Sequence, residues 1–376
     1  MSVIHRLLAT AATAALTAGA GLAMMAPASA SVSPSATFIG QFSKLKTIAS
    51  TVPGNGDVNP YGIAVVGLNR GKLHRGDVLV SNFNNKANLQ GTGTTIVQVS
   101  PGGQQTLFAH ITRSELTGPC PGGVGLTTAL GILRGGWVVV GSTPSKNGNA
   151  ATAKAGCLIV LDSNGTVRET ISGDGINGPW DLALLRKGLD ADLFVTNVLN
   201  GTVAAKGAVV DEGTVLRLLV RTYWNSPPKL LGVTTIGSGF SEQTNASAFI
   251  IGPTGVGLDG NGTLYVADTG ENRITGIPYA ATRTSSAGTG TVLTSGGRLN
   301  GPLGLAIAPN GDVLTVNGGD GRIVETTTAG AQVAHRFLDR SGSPAGSGAL
   351  FGLAVAPADG GVYYVDDATN TLRLLH

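Results

Sequence analysis

The stretch Gly255-Val256-Gly257-Leu258-Asp259-Gly260-Asn261-Gly262-Thr263-Leu264-Tyr265-Val266-Ala267-Asp268-Thr269-Gly270-Glu271-Asn272-Arg273-Ile274 decides the fold. It reads as a strand, the φ-positive turn pair Asn261-Gly262, a second β-rich run at 263–268, four turn residues and the start of a third strand. Asn164-Gly165 and Asn310-Gly311 mark the same kind of reversal, so the runs form antiparallel meanders. No stretch beyond residue 30 shows helical periodicity.

The phrase that opens this unit, Pro253-Thr254-Gly255-Val256-Gly257-Leu258, recurs along the chain. Its copies are Pro60-Tyr61-Gly62-Ile63-Ala64-Val65, Pro121-Gly122-Gly123-Val124-Gly125-Leu126, Pro179-Trp180-Asp181-Leu182-Ala183-Leu184, Pro302-Leu303-Gly304-Leu305-Ala306-Ile307 and Leu350-Phe351-Gly352-Leu353-Ala354-Val355. Their third positions, 62, 123, 181, 255, 304 and 352, are spaced by 61, 58, 74, 49 and 48 residues. Propeller blades repeat at about 40–50 residues before insertions. After Gly352, 24 residues remain, enough for three strands, and residues 36–45 read as one orphan strand. Pairing the two predicts an all-β, six-bladed β-propeller in which an N-terminal outer strand completes the last blade and leaves no open edge.

The stretch 255–274 resembles an NHL repeat almost throughout, and the looser copies extend that resemblance over nearly all of residues 36–376. It implies an NHL-type six-bladed propeller. Such propellers serve as binding scaffolds, lactonases, lyases and amidating-lyase domains, so the resemblance carries a fold and not an activity. Metal-dependent hydrolases of the gluconolactonase type place Asn, Asp, Glu or His next to the recurring Gly. This chain has Tyr61, Gly122, Trp180, Thr254, Leu303 and Phe351 there, a largely apolar and aromatic mouth.

Of 376 residues, 58 are Gly and 12% are charged; the formal net charge of +3 is too small for a nucleic-acid footprint. Residues 1–30 read as a secretory signal, with Arg6 before the apolar run from Leu7 to Met25 and Ala28-Ser29-Ala30 as the cleavage pattern. Cleavage after Ala30 leaves a domain of residues 31–376, secreted or periplasmic, monomeric and not inserted in the membrane. Cys120 and Cys157, the two cysteines of the chain, read as a disulfide in an oxidising compartment, with two buried thiols as the alternative.

Blades one to three carry long connections between their second and third strands, 83–93, 143–156 and 198–213, against four residues each at 269–272, 318–321 and 368–371. Insertions gathered on one rim often mark a binding face, so these raise a wall round half the channel mouth. Tyr61, Trp180 and Phe351 either stack on a ligand such as a sugar ring or plug the channel. Asp181, where the other copies have Gly, is the candidate catalytic acid or metal ligand, or else a hydrogen-bond acceptor for a neighbouring amide. The second strands end in Asn82, Ser142, Asn197, Asp268, Asn317 and Asp367, a series explained by capping of the next turn. Asp181, Asp268 and Asp367 could hold Ca²⁺ if they converge. No G-x-S-x-G elbow, H-E-x-x-H or P-loop is present. The reading is a module that binds a neutral small molecule, carbohydrate or protein through Tyr61, Trp180, Asp181, Thr254 and Phe351, without a resident cofactor. The alternative is a metal-assisted hydrolase or lyase of the lactonase kind.

Overall fold

Runs such as Val78-Leu79-Val80 and Leu193-Phe194-Val195 are apolar on both faces, a pattern strands sustain when each face is covered. The structure, a computed structural model that describes residues 36–376, covers both. Val78 and Val80 pack on the sixth blade and Leu79 on the second; Leu193 and Val195 pack on the second and Phe194 on the fourth. Each interface between neighbouring blades thus has its own buried cluster, and a seventh cluster fills the channel mouth.

The inner strands of the six blades are Val58–Val65, Leu126–Ile132, Gly178–Lys187, Pro253–Leu258, Pro302–Ile307 and Leu350–Val355. Every blade is an antiparallel meander of four strands except the third, which has five. The sixth consists of the last three strands of the chain and, outermost, Leu45–Ser50, which pairs with Thr371–Leu375 from Leu45↔Leu375 to Ser50↔Thr371. The ring therefore closes as the repeats imply. The predicted signal, residues 1–30, lies outside the described residues.

The closing strand itself differs from expectation. Residues 36–44 do not form it; they carry the single 3₁₀ turn Ile39–Gln41. Phe38 and Ile39 are apolar because they enter the cluster between blades five and six, and their amides donate to the buried Glu325 carboxylate at 2.7 and 2.8 Å.

Blade two is also displaced from its predicted register. Leu126 pairs with Ser142 as Pro60 pairs with Asn82, so the copy begins at Leu126 and not at Pro121, and Thr127 takes the place given to Gly122. A bulge follows this pair in every inner strand. In blade two it is one residue longer, since Leu126/Ser142 is followed by Leu130/Val140, whereas Pro60/Asn82 is followed by Ile63/Val80. Counting back from Leu130, Ala129 stands where Gly62 stands.

That position needs a small side chain because inner strands of adjacent blades converge on the axis. A Cβ on Gly255 would collide with the Leu303 carbonyl, one on Gly304 with that of Phe351, and one on Gly352 with that of Tyr61. Hydroxyls join the blades at the same level. Ser81 donates to Thr127 O at 2.8 Å, Thr127 to Pro179 O at 2.7 Å, Thr196 to Thr254 O at 2.6 Å and Thr269 to Pro302 O at 2.7 Å.

Candidate functional site

Three insertions close half of the channel mouth. They are residues 85–94 in blade one, 143–156 in blade two and 199–209 in blade three, while blades four to six have the four-residue turns 269–272, 318–321 and 367–370. The blade-three connection is shorter than the predicted 198–213 because its third strand, Val210–Arg221, starts early. A further insertion went unread. The fourth strand of blade three, Lys229–Asn245, runs on past the blade and returns as Phe249–Ile251, forming a hairpin over the mouth. Its signal was the spacing of 74 residues between the third and fourth repeats, the widest in the ring. The insertions interlock: Gln90 Nε2 donates to Ser247 O at 2.9 Å, and Ser145 N donates to Gly91 O at 2.8 Å. Gly91, at φ 68°, fits where a Cβ would lie 3.1 Å from the Phe249 ring.

Under this roof the aromatic residues gather. Tyr61 stacks on Phe351 with ring centroids 4.0 Å apart and on Phe83 at 4.4 Å, and meets Trp180 edge-on at 6.0 Å. Phe249 closes on Phe83 at 5.3 Å. It takes φ 65°, which a bulky residue avoids unless its surroundings enforce it, and here it is wholly buried. Tyr61 and Trp180 are 2% and 4% exposed, so the aromatic mouth is mainly a plug of the channel.

Beside the plug a cavity of about 300 Å³ remains. Tyr61, Trp180 and Phe351 form part of its wall, Ser247, Ala248, Ile250 and Ile251 its roof, and Leu303, Gly319 and Ser347 the side belonging to blades five and six. Thr254 and Asp181 are not in its lining. Thr254 is buried, with its hydroxyl 2.7 Å from that of Thr269, which does reach the cavity. Asp181 accepts from Leu182 N at 2.8 Å and, across the blade interface, from Val256 N at 3.3 Å. Burial pushes its carboxyl up to about 8, partly opposed by those two amides. A carboxyl whose neutral form burial favours thus occupies the place where other blades have Gly or Ala.

The second-strand ends are buried in all six blades, and in blade six the member of the series is Asp366, paired with Leu350, not Asp367. They hold their own blade's incoming loop or following strand. Asn197 accepts from the amides of Asn177 and Gly178, Ser142 from that of Gly125, and Asp268 and Asp366 pair with Arg273 and Arg373 at 2.8 and 2.7 Å. Asp367, one residue later, lies in the turn and lines the cavity with Asn59. Burial and the neighbouring Asp366 push it up to about 7, and burial with the charge of Asp367 raises the Tyr61 hydroxyl far above its ordinary value.

Asp181, Asp268 and Asp367 are therefore engaged separately: one by amides, one by Arg273 and one by the cavity. Among the described residues no three His, Cys, Asp or Glu side chains are grouped to hold a metal ion, and Asp181, Asp268 and Asp367 do not converge on one.

Cys120 and Cys157 form the expected disulfide, Cα atoms 5.2 Å apart. It joins the loop entering blade two to the end of that blade's insertion, where Gly122 N also donates to Ala155 O at 2.7 Å. Among the described residues no helix is long and apolar enough to cross a membrane.

No family model matches the sequence, and no curated protein aligns with it. Solved structures do resemble it. A gluconolactonase from Xanthomonas campestris superposes with a TM-score of 0.54 at 14% identity, covering 88% of each chain. Regucalcin, a calcium-binding protein from Agrobacterium tumefaciens, does so with a TM-score of 0.55 at 13% identity, covering 88% of this chain and 93% of that one. At such identities the likeness is one of architecture, and it places this chain among six-bladed β-propellers of the gluconolactonase and regucalcin shape.

Proposed function

We propose that the protein is an exported binding module that takes a small molecule with a ring-sized apolar body in the cavity at the channel mouth. The observation that carries this reading is the cavity itself. It is about 300 Å³, mostly apolar and walled by Tyr61, Trp180 and Phe351, with a few polar groups from Asn59, Gln90 and Asp367 at its edge. The disulfide accords with an oxidising compartment, which supports export. The plugged channel leaves the ligand space at the mouth, where the cavity adjoins an open polar pocket of about 530 Å³ edged by Asn84, Asn88, Asn147 and Asn149.

The test is a screen of small ring compounds by ligand-observed magnetic resonance against the wild type and Ser347→Trp. Ser347 is exposed on the cavity wall and outside the aromatic plug, so an indole there fills the cavity without opening the core. Compounds that bind the wild type and are lost from the variant, at unchanged melting temperature, are the expected result. Equal binding to both would overturn the assignment. The alternative, a metal-assisted hydrolase or lyase of the lactonase kind, is favoured by the likeness to a gluconolactonase; among the described residues its cavity would have one carboxylate, Asp367, in place of a convergent set.

A further inference from the structure

Among the described residues Asp367 is the one titratable carboxylate in the cavity lining, and no Lys, Arg or His lines the cavity with it. Its main chain is held, with Asp367 N donating to Ala349 O at 2.8 Å and Asn370 N to Asp367 O at 3.2 Å. The turn is fastened across the ring seam by Asn370, whose Oδ1 accepts from Asn59 N at 2.7 Å. The side chain by contrast has no cation beside it; the charge that acts on it is that of Asp366, of the same sign and already paired with Arg373. Other acids of this rim, Asp268, Asp320 and Asp366, each have an arginine within 2.9 Å. Asp367 is half-buried at the edge of the cavity, so its unpaired carboxylate is open to a donor that a ligand brings.

Resting on the cavity reading above, we propose that the ligand carries a protonated amine on its apolar ring body, the ammonium docking on the Asp367 carboxylate and the ring lying against Tyr61, Phe351 and Trp180. A charged donor gains more from this carboxylate than a hydroxyl does, because charge-assisted hydrogen bonds are about twice as strong as neutral ones. An anionic ligand meets no positive group there and is repelled by Asp367. Burial and the neighbouring Asp366 push Asp367 up to about 7, so below that pH an incoming ammonium must displace its proton to solvent before the pair forms, and binding weakens.

Three probes with one ring and different tips test this: 2-phenylethylamine, 2-phenylethanol and phenylacetate, titrated into the wild type, Asp367→Asn and Ser347→Trp. The amine is expected to bind the wild type on the order of tenfold tighter than the alcohol, with phenylacetate weakest. Asp367→Asn should bring amine and alcohol level at unchanged melting temperature. In the wild type, affinity for the amine should fall from about pH 8 to about pH 6, either side of the Asp367 value, while affinity for the alcohol stays flat. The other titratable groups facing this turn do not mimic that change, since Asp366 is paired with Arg373 and the Tyr61 hydroxyl stays neutral. Equal binding of amine and alcohol, or an amine preference that survives in Asp367→Asn, overturns the inference and leaves the cavity standing. Failure of all three probes on the wild type, or equal binding to Ser347→Trp, overturns the cavity reading and the inference together.

Discussion

Asp181→Asn separates a structural carboxyl from a charged one, and the structure fixes both the sign and the size of the effect. An unfolded chain releases the Asp181 proton at the ordinary value of 3.8, whereas burial in the fold pushes it up to about 8. Between those values the folded state holds a proton that the unfolded state has lost. The contribution of Asp181 to stability is therefore fullest below 3.8, declines as pH rises, and levels off above about 8. At about 1.4 kcal/mol per unit, the loss between about pH 5 and about pH 8 is roughly 3–4 kcal/mol. Asparagine keeps an oxygen for the Leu182 or Val256 amide and does not titrate, so the loss is absent from the variant. Asp367, Glu242 and Asp312, which burial also raises, are common to both proteins and cancel in the difference. Urea unfolding of both proteins at several pH values should show the gap between them shifting by roughly 3–4 kcal/mol in favour of Asp181→Asn as pH rises. Parallel curves would refute the argument. A wild type that gains on the variant as pH rises would mean that Asp181 is ionised in the fold, which is what a metal ligand there requires.

Trp180→Ala should cost about 3–5 kcal/mol and lower the melting temperature clearly, because the indole is 4% exposed between Tyr61 and Phe249; an unchanged melt would show that it serves ligand contact alone. Replacing Cys120 and Cys157 by Ala frees a link spanning 37 positions, a loss of about 3–4 kcal/mol on the chain-entropy model. Limited proteolysis should then cut within 143–156 before the ring unfolds, and first cuts elsewhere would count against a local role. EDTA should leave the melting temperature and elemental content of protein purified without chelators unchanged, since the rim carboxylates do not converge; one stoichiometric Ca, Zn, Mg or Mn whose removal lowers the melt would revive the lactonase reading.

Much of the ring is legible because its constraint repeats. A strand covered on both faces must be apolar throughout, and an inner strand near the axis must be small at one position, so six copies of a single phrase appear. What the phrase does not encode is local compensation. In blade two a longer bulge shifts the copy to Leu126–Ile132, while Pro121-Gly122-Gly123 in the preceding loop imitates it. Phe38 and Ile39 look like strand residues, yet their apolar character serves the cluster between blades five and six and their amides serve Glu325. In the sequence Asp367 passes for a strand end because Asp366 and Asp367 are adjacent and chemically alike; a one-residue shift separates a buried partner of Arg373 from a cavity-facing carboxylate. The roof over the mouth was hidden for a different reason, since 229–251 is ordinary β-rich sequence and its function as a cover depends on where the blade points it.

The cavity owes its existence to the unequal distribution of those insertions. The long connections of blades one and two bond to each other, that of blade one bonds to the hairpin at 245–249, that of blade three bonds to Glu242 at the hairpin's base, and together with the aromatic plug they fill their half of the mouth. Blades four, five and six have four-residue turns, too short to reach the axis, so the space beneath the hairpin stays open on their side. The groups that face it from there, Thr269, Gly319 and Asp367, sit on turns whose ends are fixed by strand pairing and, at the seam, by Asn370 on Asn59. The anchoring carboxylate thus sits on the regular part of the ring, while the roof and Gln90 come from the insertions. That division fixes the position of the anchoring carboxylate before any ligand arrives and leaves adjustment to the hairpin, which is how a rigid scaffold holds a small molecule without having to close as a whole.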